Sequence, residues 1–504
     1  GGPEGADGHS GPEGGPEGHD VEFESFKDFD SSQGFGGFES DHGATEALES
    51  AQGMHDGEFQ ERGGDFSYDL ASEMDHQGFK EMDGHQVADM ASAMDKEHFD
   101  AMGGDQTYSM VESMDMDQMS SMGGGNIADM AGAMDHGHFE TMGSDQTFGM
   151  AEAMGYDKMA EMGGGNIADM MSAMDHSHFE SMGVDALSDM AGAMDASNFA
   201  AMGGEQTLAM VESMGLDQVA NMGAEKVADV AVGMDLESFK VMGSDQTLEM
   251  AEAMGFDKMA DMGGEHVADM LGAMDTTHIE TIGAENLSEI AATMDMEHFK
   301  AMGGDQTVAV VETVGLDAVI EMGPEKVADV AGAMELENFQ ELGAEQVTEM
   351  ASVMNKENLA SLGDAAAAGM VDTMTGDQIG TLESDQLAGL ASSIDPNTAA
   401  TLGAEQVTSM VSHMDTSAIT EVGGSVVSGM MAALSGDNID SLDADHQSAV
   451  LDSIGADLMG SKGAGFEAIE PADTSFDQLT ATTETEPSAQ AAVEAFSVAG
   501  LFTG

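Results

Sequence analysis

The 504-residue chain contains no cysteine and very few basic residues. Without cysteine it cannot form disulfides or thiolate metal sites. Only 12 Lys plus Arg stand against 97 Asp plus Glu, so the formal net charge is −85. Nucleic-acid binding depends on Lys and Arg contacts to phosphate, so we expect no nucleic-acid partner. The charge instead favours cationic partners, divalent metals or saline surroundings.

Long apolar runs and enzyme signatures are also missing from the sequence. No run of 18 apolar residues occurs, so no membrane span is predicted. The chain has no nucleophile elbow, no phosphate-binding loop and no zinc-protease motif. We therefore predict that the protein is not an enzyme.

What the sequence does contain is a strict internal repeat. From His42 to Ser461 the chain divides without insertion into 21 segments of twenty residues, which we call repeats and name by their first residue. The repeats that start at Met122 and Met162 have the sequences MGGGNIADMAGAMDHGHFET and MGGGNIADMMSAMDHSHFES. A DQT or EQT motif recurs and marks copies of a longer unit of 100 residues, at Asp105, Asp145, Glu205, Asp245 and Asp305.

Each repeat predicts two short helices. In the repeat that starts at Met122, four apolar residues have the i, i+3, i+4, i+7 spacing of one helix face, namely Ile127, Met130, Ala131 and Met134. Asp135 then provides an N-cap for a second helix, whose apolar face contains Phe139 and Met142. Gly143 is expected to end that helix in a left-handed conformation.

Two prolines agree with these boundaries, because Pro324 and Pro396 fall at the expected first positions of helices. Helices of about ten and about seven residues do not persist alone, so their stability must come from packing between repeats. We predict an all-α fold, an α-solenoid of about 21 twenty-residue helix-turn-helix repeats over residues 42–461. This architecture resembles the HEAT and tetratricopeptide solenoids, and loosely the short Gln-containing helical repeats of some large bacterial surface proteins.

The flanking segments differ from the repeats. Residues 1–41 are rich in Gly, Pro and Glu and then in Phe, and residues 462–504 form an acidic linker with a short apolar segment. We expect both termini to be disordered or extended. Apolar residues at both ends suggest a head-to-tail contact that assembles a filament. The proposed contact pairs Phe23, Phe26 and Phe29 of one chain with Val450, Leu451 and Ile454 of the next. Alternatively, a terminal segment folds back on its own chain.

The sequence MDHGHFETMG, repeated as MDHSHFESMG, raises the hypothesis of a copper or zinc site. Imidazole and carboxylate are suitable ligands for such metals. The candidate ligands are His136, His138, His176, His178, Asp135 and Asp175. Other repeats carry Gln118, Lys158 or Asn198 at the position of His138, which favours the alternative of a solvated helix face.

The 50 methionines and the many acids have structural explanations as well. Met110 and Met114 exchange with Val310 and Val314 in a later repeat, which indicates core packing. Acids near helix N-termini are favoured by the helix dipole. Aligned acids in stacked repeats repel one another unless salt or divalent cations screen them. We expect no cofactor beyond weakly bound calcium or other divalent cations.

These features favour a non-enzymatic extracellular or cell-surface structural protein that forms a homo-oligomer or a head-to-tail filament. An acidic ion-binding protein that holds calcium or copper is one alternative. A solenoid that binds a cationic protein partner is another.

Overall fold

The computed structural model describes residues 41–55 and 57–461, and within them it contains 41 helices and no strand. This confirms the predicted all-α solenoid-like fold. In the same part of the chain, no helix combines the length and apolarity needed to cross a membrane.

The helices alternate between a longer first helix and a shorter second helix in each repeat. The first helices are α1 Asp41–Gln52, α3 Gly64–Glu73, α5 Gly84–Ala93, α7 Gly104–Glu112, α9 Gly124–Ala131, α11 Ser144–Met154, α13 Gly164–Ser172, α15 Val184–Ala193, α17 Gly204–Met214, α19 Ala224–Val232, α21 Ser244–Met254, α23 Gly264–Ala273, α25 Ala284–Thr293, α27 Gly304–Val314, α29 Pro324–Gly332, α31 Ala344–Val353, α33 Asp364–Thr373, α35 Ser384–Ser393, α37 Ala404–His413 and α39 Gly424–Ala432. The second helices are α2 Glu58–Arg62, α4 His76–Glu81, α6 Lys96–Met102, α8 Met116–Ser121, α10 His136–Met142, α12 Tyr156–Glu161, α14 His176–Met182, α16 Ala196–Met202, α18 Leu216–Asn221, α20 Leu236–Met242, α22 Phe256–Asp261, α24 Thr276–Ile282, α26 Met296–Met302, α28 Leu316–Glu321, α30 Leu336–Leu342, α32 Lys356–Ala360, α34 Gly376–Ile379, α36 Pro396–Ala399, α38 Thr416–Val422 and α40 Gly436–Ser441.

The last repeat differs, because α41 runs without a break from Ala444 to Ser461. The prediction of two short helices is wrong for this repeat. Gly455 stands where other repeats have a capping Asp or a glycine such as Gly155, whose positive φ of 86° separates two helices. Gly455 does not have a positive φ and lies within α41, so the helix is not interrupted there. Ala456 and Leu458 favour continuation of the helix that precedes them.

Local capping explains where the helices begin. The Asp135 carboxylate accepts a hydrogen bond from the backbone N–H of His138 at 3.2 Å, which confirms Asp135 as the N-cap of α10. Pro324 and Pro396 are the first residues of α29 and α36, as predicted. A prolyl nitrogen loses no hydrogen bond at that position.

Gly143 connects α10 to α11 with φ 85° and ψ 158°. The positive φ was expected, but the ψ value lies outside the left-handed helical region. It belongs to an extended positive-φ region that is essentially restricted to glycine. The connection therefore ends one helix and starts the next without an intervening loop, which keeps the repeat at twenty residues.

The core is one continuous apolar cluster along the solenoid. Phe139 and Met110 are completely buried, and Met114 and Met142 are each 9% exposed. These four residues were predicted to be buried, and they are. Equivalent phenylalanines are completely buried in other repeats, namely Phe59, Phe79, Phe99, Phe179, Phe199, Phe239, Phe299 and Phe339.

Packing extends beyond the adjacent repeat. A first helix contacts the second helix of the next repeat, as α13 does with α16. A second helix contacts the first helix of the next repeat but one, as α16 does with α19. Each repeat is therefore packed against two following repeats, and not against one as simple stacking would predict.

Substitution of Gly143 tests the connection between α10 and α11. We expect Gly143→Ala to lower the free energy of unfolding by about 1–3 kcal/mol, because an L-residue is strained at this φ and ψ. The added Cβ would meet no atom within 4 Å, so a clash cannot explain a loss. The measurement is the urea midpoint by circular dichroism.

Gly137→Ala in α10 is the matched control, since its added Cβ would make only an ordinary contact with Asp135 at 3.5 Å. That change should stabilise the chain by up to about 1 kcal/mol. Equal effects of the two substitutions would contradict the backbone argument.

Candidate functional site

His136, the first candidate histidine, lies on the exposed side of α10 and contacts a residue later in the chain. Its Nδ1 lies 2.6 Å from the Ser172 hydroxyl of α13, two repeats on, and its Nε2 lies 3.2 Å from the Glu140 carboxylate. The side chain of His136 is 47% exposed. It is therefore an exposed polar residue with partners from its own helix and from a later repeat.

His138 faces in the opposite direction and is largely enclosed. Its Nε2 lies 3.0 Å from Asp105 on α7, and its Nδ1 lies 2.7 Å from the capping Asp135. The side chain is only 14% exposed, and the Tyr108 ring lies 5.6 Å from the imidazole. The interpretation of this position as a solvated helix face is wrong, since His138 joins two repeats.

The second histidine pair repeats this arrangement. His178 is buried and lies 3.0 Å from Asp175 and 3.4 Å from Asp145 through its two ring nitrogens. The Ser144 hydroxyl lies 2.9 Å from its Nδ1. His176 is exposed and lies 3.7 Å from Glu180.

The candidate metal ligands are thus divided between separate contacts. Within residues 41–55 and 57–461, no group of three or more His, Asp or Glu is arranged to hold a metal ion. The two histidines of each pair point to different repeats, so they do not offer two nitrogens to one ion. The geometry gives no support to the copper or zinc hypothesis, which stays a prediction.

The DQT motif has a structural role that the sequence did not indicate. Asp105 accepts the contact from His138 at 3.0 Å. The Gln106 amide donates to the carbonyl oxygens of Ser72 and Met74, each at 3.2 Å. The Thr107 hydroxyl donates to the Gly103 carbonyl at 2.9 Å and is completely buried. Two of the three residues therefore connect repeats, and the third secures the start of its own helix.

The contact made by Gln106 recurs along the solenoid. In each case a long side chain on a first helix approaches the carbonyl oxygen of the residue 32 positions earlier. We call these contacts carbonyl clasps. They pair Gln86 with Met54, Gln106 with Met74, Lys226 with Met194, Gln306 with Met274, Lys326 with Met294, Gln386 with Met354, Gln406 with Met374 and His446 with Met414.

A long side chain is needed for a carbonyl clasp but does not guarantee one, since Gln146, Gln206 and Gln246 occupy the same position and form none within the described residues. Asn166 and Asn286 occupy the same position but donate to Met162 and Ile282 of their own repeats, at 3.2 and 2.8 Å. An asparagine is one methylene shorter than a glutamine, so its best hydrogen bond is to the residue four positions earlier. Asn126 likewise donates to Met122 at 2.9 Å and only weakly, at 3.5 Å, to Ser92 of an earlier repeat. Alanine at this position, as in Ala366, leaves a groove of about 700 Å³ between repeats.

The buried threonines of the motif form a third repeated contact. Thr147, Thr207, Thr247 and Thr307 are completely buried, and each hydroxyl lies 3.3–3.5 Å from the carbonyl oxygen of the phenylalanine eight residues earlier. The backbone N–H of the following glycine also donates to this carbonyl, at 3.0 Å from Gly143 to Phe139, so the threonine hydroxyl is a second, longer contact at the end of the second helix.

Some of the acids have shifted pKa values, and the shifts go in opposite directions at two kinds of position. Hydrogen bonds from the Ser238 hydroxyl and backbone, which outweigh burial, hold the pKa of the N-cap Asp235 below its usual value. By contrast, burial raises the pKa of Asp129, Asp169 and Asp329 on the first helices. The N-cap Asp235 therefore ionises more readily than a free aspartate, and the three half-buried acids ionise less readily.

The residues proposed for assembly are only partly exposed. Val450 is 1% exposed, so it is covered by its own chain and does not belong to an open end face. Leu451 is 37% exposed and Ile454 is partly buried. Phe23, Phe26 and Phe29 lie outside the described residues. The only other large apolar residues exposed in the described part are Val184 at 39% and Val241 at 67%.

Comparison with known proteins adds no family or relative, since no protein-family model and no curated protein matches the chain.

Removal of one carbonyl clasp tests its contribution. Gln386 donates to the carbonyl oxygens of Ala351, Ser352 and Met354 at 3.2, 2.9 and 2.8 Å. We expect Gln386→Met to lower the free energy of unfolding by about 1 kcal/mol, the usual net value of a hydrogen bond. The urea midpoint should fall with an unchanged slope.

Gln346→Met is the matched control, because Gln346 occupies the same position two repeats earlier, is exposed, and makes no side-chain hydrogen bond within the described residues. Its substitution should change the midpoint little. If both variants lose the same stability, the carbonyl clasp does not contribute as argued.

Proposed function

We propose that the chain is a non-enzymatic structural repeat protein that acts as an acidic spacer or filament subunit outside the cell. The observation that carries this proposal is the carbonyl clasp, which recurs at eight positions with a constant separation of 32 residues. A side chain that bonds to another repeat at regular intervals makes the whole solenoid more rigid.

The other repeated polar side chains support the same role. Asp105, Thr107 and His138 all have partners within the chain, and these partners lie in their own or a neighbouring repeat. The most regular polar side chains of the repeat thus contact other parts of the same chain. An extended scaffold requires such regular contacts, whereas catalysis requires a unique arrangement of groups in one place.

The charge favours an extracellular or cell-surface location. The net charge of −85 places acids on every repeat, and these repel one another at low ionic strength. At about 0.15 M salt the Debye length is about 8 Å, so exposed charges on neighbouring helices are partly screened. Surroundings rich in salt or calcium would therefore suit this chain.

Assembly into a head-to-tail filament is the finer part of the proposal. Leu451 on α41 offers an exposed apolar side chain at one end of the solenoid. In this proposal it is covered by Phe23, Phe26 or Phe29 of the next chain. A contact between unlike ends propagates unless it closes into a ring.

Two other functions are compatible with the acidic surface. One is diffuse binding of calcium or other divalent cations, or of copper through the candidate histidines. The other is binding of a cationic protein partner along the solenoid. The structural role is preferred because the repeated contacts explain the constant length of the repeat, which neither alternative requires.

Ionic conditions provide the first test. We expect the unfolding temperature to rise with sodium chloride and to rise further with millimolar calcium or magnesium, because both screen the acids. Calorimetry with and without divalent ion gives the measurement. A midpoint unchanged from low salt to added divalent ion would contradict the argument, and tight binding of one ion per repeat would favour the ion-binding alternative.

Point substitution provides the second test. The proposal predicts that electron microscopy detects filaments of the intact chain. Leu451→Asp should prevent them, because the substitution buries a charge in the proposed contact. Val241→Asp is the matched control, since Val241 is an exposed apolar residue within α20. Deletion of residues 1–41 should have the effect of Leu451→Asp. Filaments that persist with the same subunit contact after that deletion would show that the head-to-tail contact is wrong, as would an intact chain that stays monomeric at high concentration and salt.

A further inference from the structure

Two histidines outside the candidate metal set bridge carboxylates of different repeats. His98 on α6 lies 3.1 Å from Asp65 on α3 through Nε2 and 2.7 Å from its own N-cap Asp95 through Nδ1. His278 on α24 lies 3.0 Å from Asp245 on α21 and 3.0 Å from its own N-cap Asp275. The histidine side chains are 18% and 20% exposed.

We call each of these contacts between repeats a joint. A third joint has the same geometry without a histidine. Asn338 on α30 donates its amide to the Asp305 carboxylate of α27 at 3.0 Å. As in the pair Asp65 and His98, the partners are separated by 33 residues. Asparagine does not titrate, so its amide donates to Asp305 without any change in its own charge.

Proton counting separates the two kinds of joint. A neutral imidazole carries one N–H group, whereas an imidazolium carries two. With neutral His98 donating from Nε2 to Asp65, the Nδ1 lone pair faces an Asp95 carboxylate oxygen only 2.7 Å away. The backbone N–H of Asp95 also approaches Nδ1, but at 3.3 Å. Protonation converts the short contact into a charge-assisted hydrogen bond.

The surroundings of both histidines are acidic. Asp65 and Asp95 face His98, and the Tyr68 ring lies 5.7 Å away. Beyond them, Asp129 on α9 interacts with Asp95, Asp100 and Lys96. Asp245 and Asp275 face His278, and the Ser244 hydroxyl lies 2.5 Å from its Nδ1.

We propose that His98 is a pH-sensitive contact, which tightens the packing between its two repeats when it is protonated, whereas Asn338 makes the corresponding contact without a titrating imidazole. Acidification would then stiffen the solenoid at the joint between α3 and α6.

The direction follows from proton linkage. Burial of His98 disfavours its charge, but hydrogen bonds and charge from Asp65 and Asp95 outweigh burial and raise the pKa above its ordinary value of 6.5. A group with a raised pKa contributes its full stabilisation below its unfolded pKa. The contribution is lost as pH rises from about 6.5 through the pKa of the folded state.

Hydrogen exchange of the intact chain, measured at about pH 5.5 and about pH 7.5, tests the proposal on either side of the ordinary histidine pKa. After correction for intrinsic exchange, peptides from α3 and α6 should be protected about two- to fivefold more at the lower pH, which is the size of ion-pair contributions at partly exposed sites. Peptides from α27 and α30 should show no such change.

Reciprocal substitutions provide the controls. His98→Asn copies the Asn338 joint, so it should remove the pH response of α3 and α6. Asn338→His should create a response in α27 and α30.

The joints are compared within one wild-type molecule, so that comparison does not depend on whether a variant folds. Equal pH responses at the His98 and Asn338 joints would overturn the proposal. So would a response of α3 and α6 that survives in a folded His98→Asn variant.

Discussion

The structure depends on one constraint, which is that its helices are too short to exist alone. Most have between 4 and 12 residues, and isolated helices below about 12–15 residues are marginal in water. Each repeat therefore gains its stability by burying apolar side chains against other repeats. A completely buried Phe139 contributes about 1.5–3 kcal/mol relative to an exposed one, and an equivalent apolar residue occupies this position in neighbouring repeats. Because second helices contact first helices two repeats on, an insertion in one repeat would displace several contacts together.

Polar side chains fix the position of one repeat relative to another within this apolar packing. Gln106 and Lys226 extend to carbonyl oxygens 32 residues earlier, and His138 extends to Asp105 across a similar distance in sequence. These bonds require a fixed offset between repeats, which apolar side chains alone do not impose. We propose that one contact of this kind, made by His98, also responds to pH.

Features with a local cause could be predicted from the sequence, and those with a distant cause could not. Asp135 as a cap, Pro324 at a helix start and Met110 in the core follow from a few neighbouring residues. His138 was misinterpreted because its partner lies 33 residues away and because Lys158 at the same position of another repeat suggested exposure. The DQT motif marked copies in the sequence, but its inter-repeat bonds depend on how the repeats wind.

The central claim is that stability arises between repeats and reaches the next repeat but one. Circular dichroism of fragments at high salt tests it most directly, with residues 202–221, 202–241 and 202–281 giving one, two and four repeats. The one- and two-repeat fragments should have the spectrum of an unfolded chain, and the four-repeat fragment should be largely helical. Strong helicity in residues 202–221 alone, or equal helicity per residue in all three fragments, would contradict the account.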